Sequence, residues 1–573
     1  MTTTGQPHYV SGSVELNRAI QQANDQDASG TYVISVQKSG FNLTENCVAI
    51  NTKGTVTIQS TSGKSVTLDG QNTYGGFIIL SGKVTLQNLN IKNMCVNAPD
   101  GCMGAGAGLF VANFLPTSSA YYNVVGRQPT VILNNVSFSN CAANGGGSIG
   151  VLSGGASGAA GTFGSFSGGP GGGGSSGVVP VGSRFMGASP LPAPNTSSYF
   201  GMVGAGGTGG GRGGGGRGFP LGNGNPGGLG DPGRAGGYGG YGASSGNGGG
   251  GGGGGGGGYG GAGPGGGFGG SGGPGGGLSS PGFGGGSGAP ATPAQPGTPP
   301  SYPGNNVMEG SNGGPGGAGG GGATGGGGAG FGGGLFAMDN ANIRIVGTGS
   351  TSGNKVIGGP NAAAAGQGIF LQGSGCLHFN LLNGAVFTIA DGISDETGAV
   401  AQHSTTAAQV VAGCIGPDGL PTGGGTGIWD AEVTGNGKLT ITGNNYLSGD
   451  ITVSGACLDI SNCPRTNCHT MVIKDFAALV HRSAKESKSM AYAITIEEGG
   501  RLLLNGNTRI FAKSVTMPAA GFHIEIDPAG FENDKSVEVL NTVDPMNRTV
   551  PVTVNEGFSI SMGERAISVT KEA

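Results

Sequence analysis

A glycine block from about Gly145 to Gly334 constrains this chain more than any other feature. Glycine loses more backbone entropy on ordering than any other residue, so such a block is costly to fix in one conformation. The sequence on its two sides is alike. Val131-Ile-Leu-Asn-Asn-Val-Ser-Phe138 leads to Gly145-Gly-Gly-Ser-Ile149, and Gly332-Gly-Gly-Leu-Phe336 leads into Asn342-Ile-Arg-Ile-Val346. Both flanks read as short strands bounded by glycine turns. The economical reading is one continuous strand-built body with the block spliced into a single turn.

Roughly two-thirds of the chain's glycines fall in the block, and roughly 380 residues remain outside it, ample for a sizeable core. Charged residues make up only 10 % of the chain, for a net charge of -4, which argues against nucleic acid or an anionic membrane surface as the main partner. No apolar run approaches the roughly 18 residues of a membrane-spanning helix. Met1-Thr-Thr-Thr-Gly-Gln-Pro7 lacks the basic and apolar regions of a signal peptide. That leaves a mature form given a new Met, a signal-independent export route, or assembly inside a cell.

Ser13-Val-Glu-Leu16-Asn-Arg-Ala19-Ile20-Gln-Gln-Ala23-Asn24 predicts a helix, capped by Ser13 and ended by Gly30, with Leu16, Ala19, Ile20 and Ala23 on one face. The period then switches to short β-branched strands such as Val56-Thr-Ile58, Val66-Thr-Leu68, Val84-Thr-Leu86 and Leu89-Asn-Ile91, punctuated every eight to ten residues or so. Such spacing suits a sandwich or a parallel β-helix. The repeated V/L-T-I/L signature, the turn asparagines (Asn88, Asn90, Asn93, Asn134, Asn135, Asn140) and the tolerated insertion favour the β-helix, with the first helix covering its open end. After the block the strands resume, loosen over about 395–427 before the only Trp, Trp429, and return from Leu439. Asp475 to Lys485 reads as either a helix or a strand pair.

One long stretch then looks familiar. Gly437-Lys-Leu-Thr-Ile-Thr-Gly443-Asn-Asn-Tyr446-Leu-Ser-Gly449-Asp-Ile-Thr-Val453-Ser-Gly455-Ala-Cys-Leu458 closely resembles the autotransporter-associated β-strand repeat of bacterial passenger domains. The early helix with Val66-Thr-Leu-Asp-Gly70 and Phe77 to Ile91 resembles the first coils of polymorphic-membrane-protein and related adhesin-like β-helices. Phe138-Ser-Asn-Cys141 and Gly146-Gly-Ser-Ile149 resemble that family's F-x-x-N and G-G-A-I motifs, with Cys141 for the Asn and Ser148 for the Ala. The resemblance implies a right-handed parallel β-helix acting as a surface, adhesive or structural module. The membrane β-barrel that ends an autotransporter is missing before Thr570-Lys-Glu-Ala573.

Within the block, Gly248 to Gly258 is unbroken and a local G-G-X rhythm surrounds it. A flexible loop is one reading. The other is a bundle of three-residue-per-turn helices packed through their backbones. This resembles the polyglycine-II layers of snow-flea antifreeze proteins and of some phage tail adhesins. Tyr238, Tyr241, Tyr259, Phe268 and Phe283 would then serve surface binding or assembly by stacking on sugars or a partner chain, or would anchor the block to the body.

Little else reads as chemistry. Asp69 in Leu68-Asp-Gly70 is explained by an Asx turn, and Asp395-Glu396 is the one adjacent acidic pair in the looser passage that could line a cleft. Cys457, Cys463, Cys468 and His469 could supply zinc ligands, though at non-standard spacing. The nine Cys read first as buried thiols; Cys95 with Cys102, or Cys457 with Cys463 or Cys468, could pair in an oxidising compartment. G-x-S-x-G strings in the block are expected by chance.

The chain is therefore expected to be all-β: a right-handed parallel β-helix with an N-terminal capping helix. Residues 1–144 form the cap and first coils, 145–334 the glycine-rich insertion, 335–470 the continuation with the autotransporter-type repeat, and 471–573 the C-terminal coils. The expected function is that of a surface-exposed structural or adhesive protein, extracellular, at the cell surface or on a virion, without cofactor or metal. It would bind a glycan, a host surface or copies of itself, in filaments for example, with no nucleic acid and no membrane insertion. A carbohydrate-active enzyme on the same fold and a phage or virus fibre component are the alternatives.

Overall fold

The computed structural model describes residues 7–25, 30–37, 40–98, 104–112, 128–145, 330–338, 341–359, 364–403, 428–464, 466, 468–483, 487–533 and 535–572. These residues are mostly β-strand and are dominated by one large, predominantly parallel sheet. The chain traverses it in repeated passes, and equivalent segments of successive passes pair in register.

Three parallel ladders result. The first runs from His8–Val10 to Ser536–Thr542, the second from Phe41–Asn42 to Val552–Val554, and the third from residues 77–79 to Asn445–Tyr446. The V-T-L pattern explains the register. Alternate side chains of a strand face opposite ways, so a one-residue slip would expose every apolar group. In the first ladder Ile34, Ile58, Leu86, Leu133, Ile345, Phe379, Val433, Val453, Ile473 and Ile496 therefore stack in one buried column.

Corners between the first two ladders need left-handed backbone. Asn88, Asn135 and Asn383 supply it there, and Asn93 and Asn140 do so at the far end of the second ladder. Asparagine tolerates that conformation better than other residues with a Cβ. Asn90 and Asn134 differ from the turn reading. They lie within strands, paired to Ser137 and Gln87.

Helix α1 spans Ser13–Asn24 and buries Leu16, Ala19, Ile20 and Ala23, the face read from the sequence. Its ends differ from that reading. Gly12 is the N-cap and Asp25 the C-cap, while the Ser13 hydroxyl accepts from the Thr44 N–H at 2.8 Å. Two turns apart on α1, the Asn17 and Asn24 side chains accept from the backbone N–H groups of Val48 and Asn51. The helix thus satisfies polar backbone that would otherwise be left open at this end.

The stretch 475–485 takes the strand alternative, with Ala478–His481 pairing to Cys457–Asp459 and Arg501–Asn505. The looser passage begins with a second helix, α2, at Glu396–His403. At the other end parallel order stops: Ala566–Lys571 runs antiparallel to both Ser536–Thr542 and Phe558–Met562.

Candidate functional site

The glycine block departs from and returns to two strands in backbone contact. Ala142–Asn144 lies between Cys95–Asn97 and Lys355–Ile357, and Gly330–Phe331 lies between Gly104–Ala105 and Ala364–Ala365. A Cβ placed on Gly330 would meet the carbonyl of Ala143 at 2.8 Å, so the outbound and returning strands touch. Residues 98–103 join the equivalent strands in the preceding pass, and residues 358–363 do so in the following one. Between them, residues 145–329 take the place of a short connection. Gly145 donates its N–H to the Ile357 carbonyl at 2.7 Å.

The return is held by aromatic stacking. Phe110, Phe336 and Phe370 occupy one register of the third ladder, with ring centroids 5.0 and 5.7 Å apart and nearly parallel planes. Their neighbours Leu109, Val111, Leu335, Ala337, Ile369 and Leu371 fill the main core, so these strands are buried on both faces. Phe331, in the returning strand, stacks on Phe370 at 4.2 Å. Burying such a ring is worth about 2–3 kcal/mol, enough to fix the strand locally.

A repeat underlies this wall: Gly106-Ala-Gly-Leu-Phe110, Gly332-Gly-Gly-Leu-Phe336 and Gly366-Gln-Gly-Ile-Phe370. The first glycine of each has φ near 60°. The second lies so close to the next pass that a Cβ on Gly108 would meet the Phe138 ring at 2.6 Å, and one on Gly334 the Gly368 carbonyl at 2.6 Å. Both glycines are thus required, and sequence reasoning recognised only the middle copy as a flank.

Cys141, which stands where the F-x-x-N resemblance expects Asn, is buried and donates its thiol weakly towards the Ile91 carbonyl, 3.7 Å away. Asn354 in the next pass accepts from the Cys141 N–H and donates to the Phe138 carbonyl. The five aromatic residues proposed for binding or assembly, Tyr238, Tyr241, Tyr259, Phe268 and Phe283, lie outside the described residues, as does Ser148.

The candidate acidic pair does not line a cleft. Asp395 is fully buried and accepts from the N–H groups of Gly398, Trp429 and Ser448 and from the Ser448 hydroxyl. Burial raises its pKa to about 6 against the pull of these bonds. Glu396 accepts from the Gly373 N–H. The pair ties three passes together. Asp69 makes the expected Asx turn with the Gln71 N–H.

The Cys/His segment is also dispersed. Cys468 is buried, its thiol held protonated by burial; Cys463 donates to the Gly443 carbonyl; and the His469 ring sits 2.8 Å from Asp450. Cys457 and Cys468 are free thiols, which removes both disulfides considered for Cys457. Cys102 lies outside the described residues.

One group went unseen in the sequence. On the outward side of the first ladder, Cys376 and His378 face Asp430 and Glu432 in the next strand, and Asp450 follows. His378 contacts Glu432 at 2.8 Å, and the Asp450 N–H donates to Asp430 at 2.8 Å. Burial raises the Asp430 pKa, with repulsion from Asp450 adding to the rise. The Cys376 thiol is pushed up to about 11, chiefly by burial, and stays protonated. Only Asp-x-Glu is visible locally; the partners come from other strands.

No protein-family model, curated protein or solved structure matches this chain. Among the described residues no helix is long and apolar enough to cross a membrane.

Proposed function

We propose that this chain is a right-handed parallel β-helix serving as a surface-exposed structural or adhesive module, and that it displays the glycine block from one side. One observation carries the reading: residues 145–329 replace a short connection while the passes before and after keep their register. A body built this way can carry a large appendage without rearrangement, because each pass contacts only its neighbours. The closeness of Gly437 to Leu458 to the autotransporter-type repeat supports the same reading. That stretch forms consecutive strands of all three ladders, with Gly455 in a left-handed corner. The extended ladder faces and the glycine block would be the contact surfaces, for glycans or a host surface.

The test compares the full chain with a variant in which a copy of residues 358–363 replaces residues 145–329. Both are immobilised and exposed to a glycan panel and to fixed cells. Capture by the full chain, lost in the variant, supports a displayed adhesive block. Equal capture places adhesion on the ladder faces. Capture by neither removes the adhesive reading.

A carbohydrate-active enzyme is the second reading, and the juxtaposed Asp430, Glu432 and Asp450 favour it. Two residues apart on one strand, Asp430 and Glu432 project from the same face of the sheet, which sets side by side the two kinds of carboxylate that glycoside hydrolysis uses. Release of reducing ends from a polysaccharide panel, abolished in Asp430→Asn and Glu432→Gln, would establish it.

A further inference from the structure

The last hairpin leaves a strand edge with no backbone partner among the described residues. Phe558–Met562 pairs on one side with Ala566–Lys571. The Gly563 N–H donates to Ala566 and the Glu572 N–H to Gly557, which fixes the alternation between them. Ser559 and Ser561 therefore exchange bonds with the neighbouring strand, while the N–H and C=O groups of Phe558, Ile560 and Met562 point to the open side. The strand contains no charge and no proline, the usual protections of such an edge. Ser559 and Ser561 are exposed, whereas Phe558, Ile560 and Met562 lie half-buried against the core.

We infer that this edge joins two copies of the chain, Phe558–Met562 pairing antiparallel with itself about a two-fold axis at Ile560. The strand is self-complementary in that register. Ile560 faces Ile560 of the second copy, Phe558 faces Met562, and Ser559 faces Ser561, so apolar groups meet apolar groups on one side. The outward backbone groups fall opposite one another and form about six hydrogen bonds. Such a contact closes on itself and gives a dimer rather than a filament. In this register Glu556 of one copy approaches Glu564 of the other, and both are exposed. Screening that repulsion with salt therefore strengthens the dimer. The inference rests on the hairpin alone and is independent of what the glycine block does.

Sedimentation velocity of the full chain over a concentration series tests it, beside Ile560→Pro and Ile560→Lys. Proline removes the outward N–H at the axis and leaves the bonds to Ala566–Lys571 in place. Lysine sets two like charges at the axis. The wild-type chain is expected to dimerise reversibly, more tightly in higher salt. Both variants should dimerise at least about tenfold more weakly, with unchanged far-UV circular dichroism and dilute-solution Tm. A wild-type chain that stays monomeric throughout overturns the inference. So does a dimer that survives both substitutions, or one that salt weakens.

Discussion

The side-chain amide of Asn135 donates to the side-chain carbonyl of Asn88, 3.0 Å away in the preceding pass, and both residues hold left-handed backbone. The next pass ends the row with Gly347, and the Thr348 N–H donates to Asn135 at 2.8 Å. Asparagine here serves the corner twice, through its backbone and through its amide. Asn135→Ala should lose both services, at about 1–2 kcal/mol for the backbone and about 1 kcal/mol for the bonds. Asn135→Gly should lose only the second. Chemical denaturation of the three proteins measures the difference, and equal losses would show that the backbone geometry is immaterial.

Replacing residues 145–329 with a copy of residues 358–363 should leave a body that still folds cooperatively. If the block is an unconstrained chain, loop-closure entropy predicts a gain of about 3 kcal/mol on shortening it. A loss of stability would instead identify a block packed against the body, as the glycine-helix bundle requires. The sign of the change in denaturation midpoint separates the two.

Phe336 lies between Phe110 and Phe370, fully buried. Phe336→Ala should cost about 3–5 kcal/mol. Hydrogen exchange should quicken first at Gly330–Phe331 and Ala364–Ala365, the short strands that cover the stack. Uniform quickening over the whole body would contradict a local anchoring role.

Trp429 is the only tryptophan, fully buried, and its ring would lie 2.8 Å from a Cβ on Gly375. The Trp429 indole N–H also donates to the Gln372 carbonyl at 3.0 Å, which limits how far the ring can move. Gly375→Ala should therefore cost about 1–3 kcal/mol and shift the single-tryptophan emission. An unchanged spectrum and midpoint would show that the ring moves freely.

Two buried groups give opposite pH dependences. Burial lowers the His481 pKa to about 4, so the unfolded chain takes up this proton first as pH falls. Stability is lost between pH 6.5 and 4, by about 3 kcal/mol in all. Burial raises Asp395 to about 6, so the folded chain takes up that proton first and gains a similar amount between pH 6 and 3.8. In His481→Gln the loss disappears, and stability should rise on acidification over this window. A pH profile parallel to wild type would exclude His481 as the acid-sensitive group.

Local periodicity made the strands and α1 legible, because an alternating V-T-L and an i, i+3, i+4 face each fit in a short window. Asn88, Asn93, Asn135 and Asn140 were legible as turns from their chemistry, whereas Asn90 and Asn134 share their composition but not their register. The G-x-G-L/I-F wall escaped notice. Its first and second copies are separated by the block, and glycine pairs carry little information in so glycine-rich a chain. Of the group around Asp430 only Asp-x-Glu falls in one window, since ladder register brings Cys376, Asp430 and Asp450 together from three separate strands.

The position of the block also has a consequence during synthesis. When Asn144 has been made, Thr130–Ser139 has its preceding neighbour but neither of the strands, Asn342–Val346 and Gly349–Ser352, that will cover its other edge. Translation of the block then takes on the order of ten to forty seconds. For that interval the half-built body presents Thr130-Val-Ile-Leu-Asn-Asn-Val-Ser-Phe-Ser139, with no charged residue, as an unfinished edge. The glycine block thus sets a delay in which the nascent chain is most open to mispairing, and a chaperone that covers this edge would act before any residue after the block exists.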